Sequence, residues 1–184
     1  MRLSRIMRVR SAVCVTLLSL VTAAFARGET AGAIHLSDLQ GTDGRWQSGE
    51  TTVAAPAAQV QAWFGEAAAW PSRFPDVEWA KVISTEPDGT RVVQFKSSIL
   101  GRTMTLHVRE QAGLIAYTGE GSGVSTQGKI LIQPAGEGRT HVVLQTTADL
   151  HGAVRLVVTE GAKRARARRK LGSDLASIIR LSKN

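Results

Sequence analysis

The sequence contains one cysteine, Cys14, among its 184 residues. From residue 15 onward there is none, which excludes a disulfide, a thiol nucleophile and a cysteine-ligated metal from that part of the chain. Aromatic residues are also scarce, at 5%. Hydrophobic residues make up 43% and charged residues 21%. These proportions are typical of an ordinary globular domain and argue against a disordered or fibrous chain.

Basic residues outnumber acidic ones. The sequence has 23 Lys and Arg and 15 Asp and Glu, so its formal net charge is +8. The positive excess is confined to two short segments, residues 2–10 and residues 163–170. The rest of the chain is close to neutral. This distribution indicates a near-neutral domain with a basic patch, and nucleic acid is not an expected partner.

The apolar stretch near the N-terminus, residues 11–25, is shorter than the run of about 20 apolar residues that a transmembrane helix needs. A basic stretch at residues 2–10 precedes an apolar stretch at residues 11–25, and Ala24-Phe25-Ala26 has the pattern of a cleavage site. Residues 1–26 are therefore predicted to be a secretory signal peptide, cleaved after Ala26. An uncleaved membrane anchor is the alternative. The expected location of the exported protein is the periplasm or cell envelope of a bacterium.

Two further regions follow the predicted signal peptide. Residues 27–44 are polar and rich in glycine, so we expect a flexible leader there. Residues 45–184 are expected to form a single domain. Its pattern begins with a strand at 46–54, a helix at 57–65 and a short helical turn broken by Pro71 and Pro75.

Strand-length runs separated by turn residues occupy the middle of the domain and predict an antiparallel meander. The six runs are residues 77–85, 90–98, 102–111, 114–119, 125–134 and 140–150. Between the first two, Pro87-Asp88-Gly89 is a turn signal, because proline presets φ and glycine accepts a positive φ. Residues 152–181 contain no proline and have helical periodicity, which predicts one long C-terminal helix.

Two segments resemble the START-like or polyketide cyclase/dehydrase (SRPBCC) superfamily. They are residues 51–63 (TTVAAPAAQVQAW) and residues 70–77 (WPSRFPDV), and the resemblance extends over about residues 46–182. It implies an α+β helix-grip fold, in which a curved antiparallel sheet wraps around a long C-terminal helix and two short helices follow the first strand. It also implies an apolar ligand cavity between sheet and helix. The resemblance implies no single reaction, since members include lipid carriers, cyclases and non-catalytic binders.

The C-terminal helix carries small residues on the stripe expected to face the sheet. At 100° per residue, one stripe contains Val154, Val158, Gly161, Ala165, Arg168, Gly172, Leu175 and Ile179. Small residues there either leave room for a ligand or allow the sheet to pack closely. Together with strand alternation, this stripe predicts a cavity lining of Val93, Phe95, Met104, Leu106, Val108, Tyr117, Gly161 and Ala165, with Arg168 at the mouth.

Two of these predictions have open alternatives. Arg168 is expected either to bind a carboxylate or phosphate head group at the mouth or to extend into solvent at the domain edge. The phenol of Tyr117 is expected either to hydrogen-bond a ligand or to complete the core. A separate basic cluster is predicted on the outer face of the helix, as a solvated surface or as a contact with an anionic membrane. Its members are Lys163, Arg164, Arg166, Arg169 and Lys170.

No catalytic or metal-binding motif is present. The four histidines form neither an H-x-x-x-H nor an H-E-x-x-H pattern, so no metal, cofactor or catalytic residue is predicted. The leading interpretation is an exported, non-enzymatic binder or carrier of a hydrophobic small molecule or lipid. A cyclase- or dehydrase-like enzyme on the same fold is one alternative. An envelope interaction module without a cavity is the other.

Overall fold

The computed structural model describes residues 31–39, 42, 45–99, 101–121 and 123–184. The predicted signal peptide, residues 1–26, lies outside the described residues. Eight strands form a single antiparallel sheet in the order β1-β2-β8-β7-β6-β5-β4-β3. They are β1 (His35–Asp38), β2 (Gln47–Val53), β3 (Val77–Thr85), β4 (Arg91–Ser97), β5 (Arg102–Gln111), β6 (Leu114–Gly121), β7 (Val124–Pro134) and β8 (Thr140–Leu150).

Within the described part of the chain, four helices accompany the sheet. They are α1 (Ala57–Gly65), α2 (Trp70–Arg73), α3 (Gly152–Val157) and α4 (Glu160–Leu181), and a single 3-10 turn at Ala67–Ala69 lies between α1 and α2. The curved sheet and the long helix α4 give the α+β helix-grip architecture that the resemblance implies, so this prediction is confirmed. No helix among the described residues is both long and apolar enough to span a membrane.

Alternation along the central strands separates the two faces of the sheet. In β5, Met104, Leu106 and Val108 are buried, whereas the neighbouring His107 and Arg109 are exposed. Cross-strand pairs keep the apolar side chains together, since Leu106 pairs with Val93 and Val108 pairs with Tyr117. One face of β4–β8 is therefore apolar, as period-two alternation predicts.

The region predicted as a flexible leader contains strand β1. Residues 35–38 pair with β2 in antiparallel register, from His35 opposite Glu50 to Asp38 opposite Gln47. The backbone N–H of Gly32 also donates to the carbonyl of Thr52 at 2.9 Å. Polar and glycine-rich composition disfavours strand formation by itself, but the free edge of β2 supplies partners for the backbone donors and acceptors of this segment.

The predicted single C-terminal helix is interrupted. Val158 has an extended backbone (φ −110°, ψ 116°) and ends α3. Thr159 then caps α4, because its hydroxyl accepts a hydrogen bond from the N–H of Ala162 at 3.2 Å. Glu160, in the first turn of α4, complements the positive end of the helix dipole. These residues start a new helix in a new rotational phase, although no proline marks the interruption.

Candidate ligand-binding site

An internal cavity of about 500 Å³ lies between the apolar face of the sheet and the helices. This volume falls within the range of small-molecule sites in proteins. The sheet contributes most of its wall, α3 and α4 contribute the facing wall, and residues from α1 and α2 contribute to its lining. The apolar side chains that line it are Phe64, Trp70, Phe74, Val77, Phe95, Ile99, Met104, Leu106, Val108, Ile115, Tyr117, Val124, Ile130, Leu144, Ala148, Leu150, Val154, Val157, Val158, Ala167 and Leu171.

Aromatic packing holds α1 and α2 against the sheet. The rings of Phe64 and Phe74 are stacked with their centroids 5.4 Å apart, and Trp70 meets Phe95 edge-on at 6.1 Å. The indole N–H of Trp70 donates to the carbonyl of Phe64 at 2.8 Å, which satisfies its polar atom. The segment at residues 70–75, which contains Pro71 and Pro75, thus forms part of the cavity wall.

Glycine on the sheet makes room for the one tyrosine. A Cβ at Gly128 of β7 would collide with the ring of Tyr117, which lies opposite it on β6. The absence of a side chain allows the Tyr117 ring to lie across β7 and donate from its hydroxyl to Thr146 Oγ1 at 3.0 Å. Burial raises the pKa of Tyr117, and the hydrogen bond to Thr146 opposes that shift. Tyr117 is therefore a neutral phenol in the cavity wall at physiological pH.

A partly buried charged cluster at the cavity consists of Lys170 and Asp174, which line it, and Asp76, which does not. Lys170 Nζ lies 2.6 Å from Asp174 Oδ1, 2.7 Å from Asp174 Oδ2 and 2.9 Å from Asp76 Oδ2. Lys170 and Asp174 are one helical turn apart on α4 and both line the cavity. Asp76 precedes β3, and its side chain is only 3% exposed. The cluster is one of several polar features of a largely apolar wall, which also include Thr126, Gln145 and Thr146.

The protonation of this cluster follows from burial and from its neighbouring charges. Burial alone would lower the pKa of Lys170, but the carboxylates of Asp174 and Asp76 outweigh it, so the pKa is raised and the side chain stays an ammonium. Burial raises the pKa of Asp174 to about 6. The ammonium of Lys170 opposes this shift, and the charge of Asp76 adds to it. With both carboxylates ionised, the cluster has one positive and two negative charges.

Five of the predicted lining residues surround the cavity: Phe95, Met104, Leu106, Val108 and Tyr117. Val93 is buried in the adjoining core, at 1% exposure, and does not line the cavity. That these five residues bind a ligand stays a prediction.

The predicted inner stripe of the C-terminal helix is wrong at Gly161, Ala165 and Arg168, whereas Leu175 on the same stripe is fully buried. Val154 and Val158 do line the cavity, but Gly161 and Ala165 are exposed, and a Cβ at Gly161 would meet no atom within 4 Å. The interruption at Val158 and Thr159 shifts the phase, so that α4 presents Lys163, Ala167, Lys170, Leu171 and Asp174 instead. Extrapolating one continuous helix across the break therefore selected the wrong face.

Arg168 also lies away from the cavity. Its guanidinium is 3.0 Å from Asp38 Oδ1, and its Nε donates to Gln47 Oε1 at 3.0 Å. These contacts join α4 to strands β1 and β2. The hydrogen bond from Gln47, together with the hydrogen bond and charge of Arg168, lowers the pKa of Asp38. The prediction that Arg168 lies at the cavity mouth is corrected, because its partner comes from the segment that was predicted to be a leader.

The basic cluster does not occupy a single outer face. Lys170 and Lys163 point inward, and the side chain of Lys163 is 12% exposed and lies 2.7 Å from Glu160 Oε2. Arg166 is exposed but borders the cavity, whereas Arg164 and Arg169 are exposed and do not line it. The phase shift that moved Gly161 outward moved the two lysines inward. Contact of the exposed arginines with a membrane stays a prediction.

Sequence analysis missed the two acidic members of the cluster. Asp174 follows Lys170 by four residues, which is a visible helical pairing signal. Asp76 carried no such signal, because its contact with α4 joins parts of the chain about ninety residues apart in sequence. Glu78, two residues further on, lies at the surface and pairs with Lys96 at 2.6 Å. Only the fold distinguishes the buried carboxylate from the exposed one.

The histidines give no evidence of a catalytic or metal site. His107 Nδ1 lies 3.2 Å from Glu86 Oε1 at the surface, and His141 Nε2 lies 3.5 Å from Glu50 Oε2. His151 Nε2 lies 2.7 Å from Ser125 Oγ at an exposed position on the other side of the sheet. Among the described residues no three His, Asp or Glu side chains are grouped closely enough to hold a metal ion.

An antiparallel sheet around a long helix, with an apolar cavity between them, defines a helix-grip ligand-binding domain. The family model described as "Polyketide cyclase / dehydrase and lipid transport" matches residues 47–179, and the chain belongs to this family. The resemblance noted in the sequence is thereby confirmed. No curated protein matches the sequence.

Several solved structures share the fold. A START superfamily protein from Mycobacterium smegmatis is 16% identical, with a TM-score of 0.67 over 75% of this chain and 97% of that one. The Zhui aromatase/cyclase from Streptomyces sp. R1128 is 18% identical, with a TM-score of 0.63 over 82% and 94%. A STAR-related lipid transfer protein from Xanthomonas axonopodis is 14% identical, with a TM-score of 0.58 over 82% and 93%. At these identities the likeness establishes the fold, and the ligand must be argued from the site.

Proposed function

We propose that this protein is an exported, non-enzymatic binder or carrier of a hydrophobic small molecule or lipid. The observation that carries the proposal is the cavity of about 500 Å³ with its largely apolar lining. Each methylene group of a ligand that leaves water for such a wall contributes about 0.8 kcal/mol. A closed, dry interior would have favoured the envelope interaction module, and the cavity argues against that alternative.

The proposed location rests on the sequence. The basic stretch, the apolar stretch and the Ala24-Phe25-Ala26 pattern support export to the periplasm or cell envelope of a bacterium, with cleavage after Ala26. An apolar ligand needs a carrier in such an aqueous compartment because it is poorly soluble there. The mass of the protein recovered from the periplasm tests this part, since a cleaved chain begins at Arg27 and an anchored one retains its first 26 residues.

Native mass spectrometry of the protein purified from the periplasm tests the binding itself. We expect an apolar adduct that is lost on organic extraction and regained from an envelope lipid extract. Ala148→Phe places a ring into the cavity wall and should reduce this uptake at least about tenfold. Ala176→Phe, on the exposed face of α4, is the matched control and should bind as well as wild type. A wild-type protein that neither retains nor takes up an apolar molecule would contradict the proposal.

A cyclase- or dehydrase-like enzyme is the second candidate, and the charged cluster is the observation that favours it. A carboxylate whose pKa is raised to about 6 is suited to accept a proton near neutral pH, and Asp174 lines the cavity. The two candidate functions differ in the chemical state of the ligand after incubation with the protein. Ligand recovered after incubation with the extracted protein should be chemically unchanged for a carrier, whereas loss of water or ring closure would establish the enzyme.

Contact with an anionic membrane surface is part of the proposal, and the exposure of apolar residues on α3 supports this helix as its centre. Leu156 and Val157 on this helix are 86% and 80% exposed, and Val157 also borders the cavity. Arg155, Arg164 and Arg169 are exposed nearby in the sequence. An apolar tip with basic neighbours fits an anionic bilayer, because the tip enters the acyl region and each basic residue near the headgroups adds about 1 kcal/mol.

A further inference from the structure

In the cluster of Lys170, Asp174 and Asp76, the lysine faces carboxylates of the protein, whereas the carboxylates keep some acceptor capacity. A lysine ammonium has three N–H donors, and three carboxylate oxygens lie within 3 Å of Lys170 Nζ. Two hydrogen bonds to Asp174 and an ion pair with Asp76 Oδ2 thus engage the ammonium of Lys170 within the protein.

Acceptor capacity remains on the carboxylates. An ionised carboxylate has about four lone-pair sites, and Lys170 is the hydrogen-bond partner of Asp174. Oδ1 of Asp76 is buried and has no hydrogen-bond partner among the described residues. Asp174 is the accessible member, since its side chain is 15% exposed and lines the cavity. The cluster therefore presents acceptors to the cavity.

The charge of the cluster also favours a ligand group that donates hydrogen bonds over an anionic group. Its single ammonium does not balance two carboxylates, so an anionic group placed beside it would be repelled in a poorly solvated site. The other cations that border the cavity do not reverse this. Lys163 is paired with Glu160 at 2.7 Å, and Arg102, Lys129 and Arg166 are exposed, so solvent screens their charges. A ligand group that donates hydrogen bonds or carries positive charge is compatible with the cluster.

We propose that Asp174 receives the polar end of the ligand, and that this end is a hydrogen-bond donor, an ammonium or a hydroxyl group, and not a carboxylate or phosphate. The inference rests on the proposed binding function and specifies the ligand class. It reverses the expectation of an anionic head group, which depended on Arg168. Tyr117 faces the same cavity from the sheet, and the pKa of its phenol responds to both Lys170 and Asp174. These groups together form one polar region of the site.

A matched set of ligands tests the inference by calorimetric titration. The probes are naphthalenes with an aminomethyl, hydroxymethyl, carboxylate or methyl group at the same ring position. We expect the amine to bind the wild type most tightly, followed by the alcohol, with the carboxylate weaker than the methyl compound. Asp174→Asn should weaken the amine at least about tenfold and change the methyl compound less than about twofold. Glu78→Gln, which removes an exposed carboxylate that does not line the cavity, is the control and should leave the ranking unchanged.

The outcomes separate this inference from the proposed function. If the methyl compound binds but the carboxylate binds as tightly as the amine, or Asp174→Asn affects all four equally, the donor preference is wrong and the apolar site stands. If no probe binds the wild type, the binding function itself fails. A pH titration gives a further readout, because protonation of Asp174 should reduce the preference for the amine as the pH falls below about 6. If the preference for the amine does not change as the pH falls, the amine binds at a position other than Asp174.

Discussion

Lys170 Nζ lies 2.9 Å from Asp76 Oδ2 and thereby joins α4 to the segment before β3. The same ammonium holds Asp174 on its own helix, so one lysine compensates two buried carboxylates. An ion pair in such a place adds little stability compared with an apolar pair, but removing one partner leaves an uncompensated charge. The cluster is therefore expected to be sensitive to single substitutions and to give the cavity its chemical selectivity.

Replacing the lysine tests its role in stability. Lys170→Met leaves Asp76 and Asp174 without a counter-charge and should lower the free energy of unfolding by about 1–3 kcal/mol, less than for a fully buried pair because the lysine side chain is 34% exposed. Urea denaturation followed by circular dichroism measures the loss. Lys163→Met is the matched control on the same helix, and its partner Glu160 is exposed, so the change there should stay within about 1 kcal/mol. Equal losses in the two variants would show that the Lys170 cluster is not an essential charge pairing.

The pH dependence of stability should reveal Asp174. Its pKa is raised from about 3.8 to about 6, so the folded state holds this proton more tightly than the unfolded state does. Its favourable contribution is complete at a pH below about 4 and is lost as the pH rises through about 6. The stability of wild type relative to Asp174→Asn should fall by a few kcal/mol over this window.

Glu160 should contribute to stability with a pH dependence opposite to that of Asp174. The hydrogen bond and charge of Lys163 lower its pKa, so the contribution of Glu160 to stability is present at neutral pH and is lost on acidification. Denaturation of Glu160→Gln over the same pH series should therefore show a trend opposite to that of Asp174→Asn. Parallel trends would contradict the assignment of the raised pKa to Asp174.

Close packing of α4 against the sheet depends on a glycine of the sheet. A Cβ at Gly49 would lie 2.8 Å from Leu36 Cδ2 and 2.9 Å from Leu175 Cδ1, so Gly49→Ala should destabilise by about 1–3 kcal/mol. Gly172→Ala on the helix would make only an ordinary contact, at 3.8 Å from Leu36 Cδ1. It should stabilise by about 0.5–1 kcal/mol through helix propensity. Thermal denaturation of both variants decides which glycine is needed for packing.

Arg168 should have no part in ligand binding, because it contacts Asp38 and Gln47 outside the cavity. Arg168→Ala is expected to bind the adduct seen in native mass spectrometry within about twofold of wild type and to lose less than about 1 kcal/mol of stability. The same substitution should raise the pKa of Asp38, which titration by nuclear magnetic resonance measures. A marked loss of binding in this variant would restore the mouth position predicted from the sequence.

Membrane contact through α3 is tested by sedimentation with anionic vesicles. Replacing Leu156 and Val157 by serine removes the apolar tip and should weaken binding at least about tenfold. Ile83→Ser is the control, since Ile83 is an apolar residue that is 50% exposed on β3. High salt should weaken wild-type binding if the neighbouring arginines contribute. Equal binding by all variants would exclude α3 as the contact.

Local sequence patterns determined most of the backbone. Alternation of Met104, Leu106 and Val108 predicted strand β5 and its buried face, which the structure confirms. Pro87-Asp88-Gly89 predicted the turn between β3 and β4. Gly89 adopts a φ of +84° there, and Glu86 and Thr90 are joined across the turn at 2.8 Å. These features depend on steric preferences of neighbouring residues, which a sequence displays directly.

Tertiary structure alone decided the polar part of the site. The break at Thr159 rotated α4, so that Lys170 entered the cavity wall while Gly161 and Ala165 moved to the surface. Asp76 then became the partner of Lys170, and Asp38 the partner of Arg168. The sequence contained all of these charges, but which cation meets which carboxylate depends on the phase of a helix and on contacts between distant segments. Local patterns do not specify those contacts, because their energies arise only when the sheet and helix pack together.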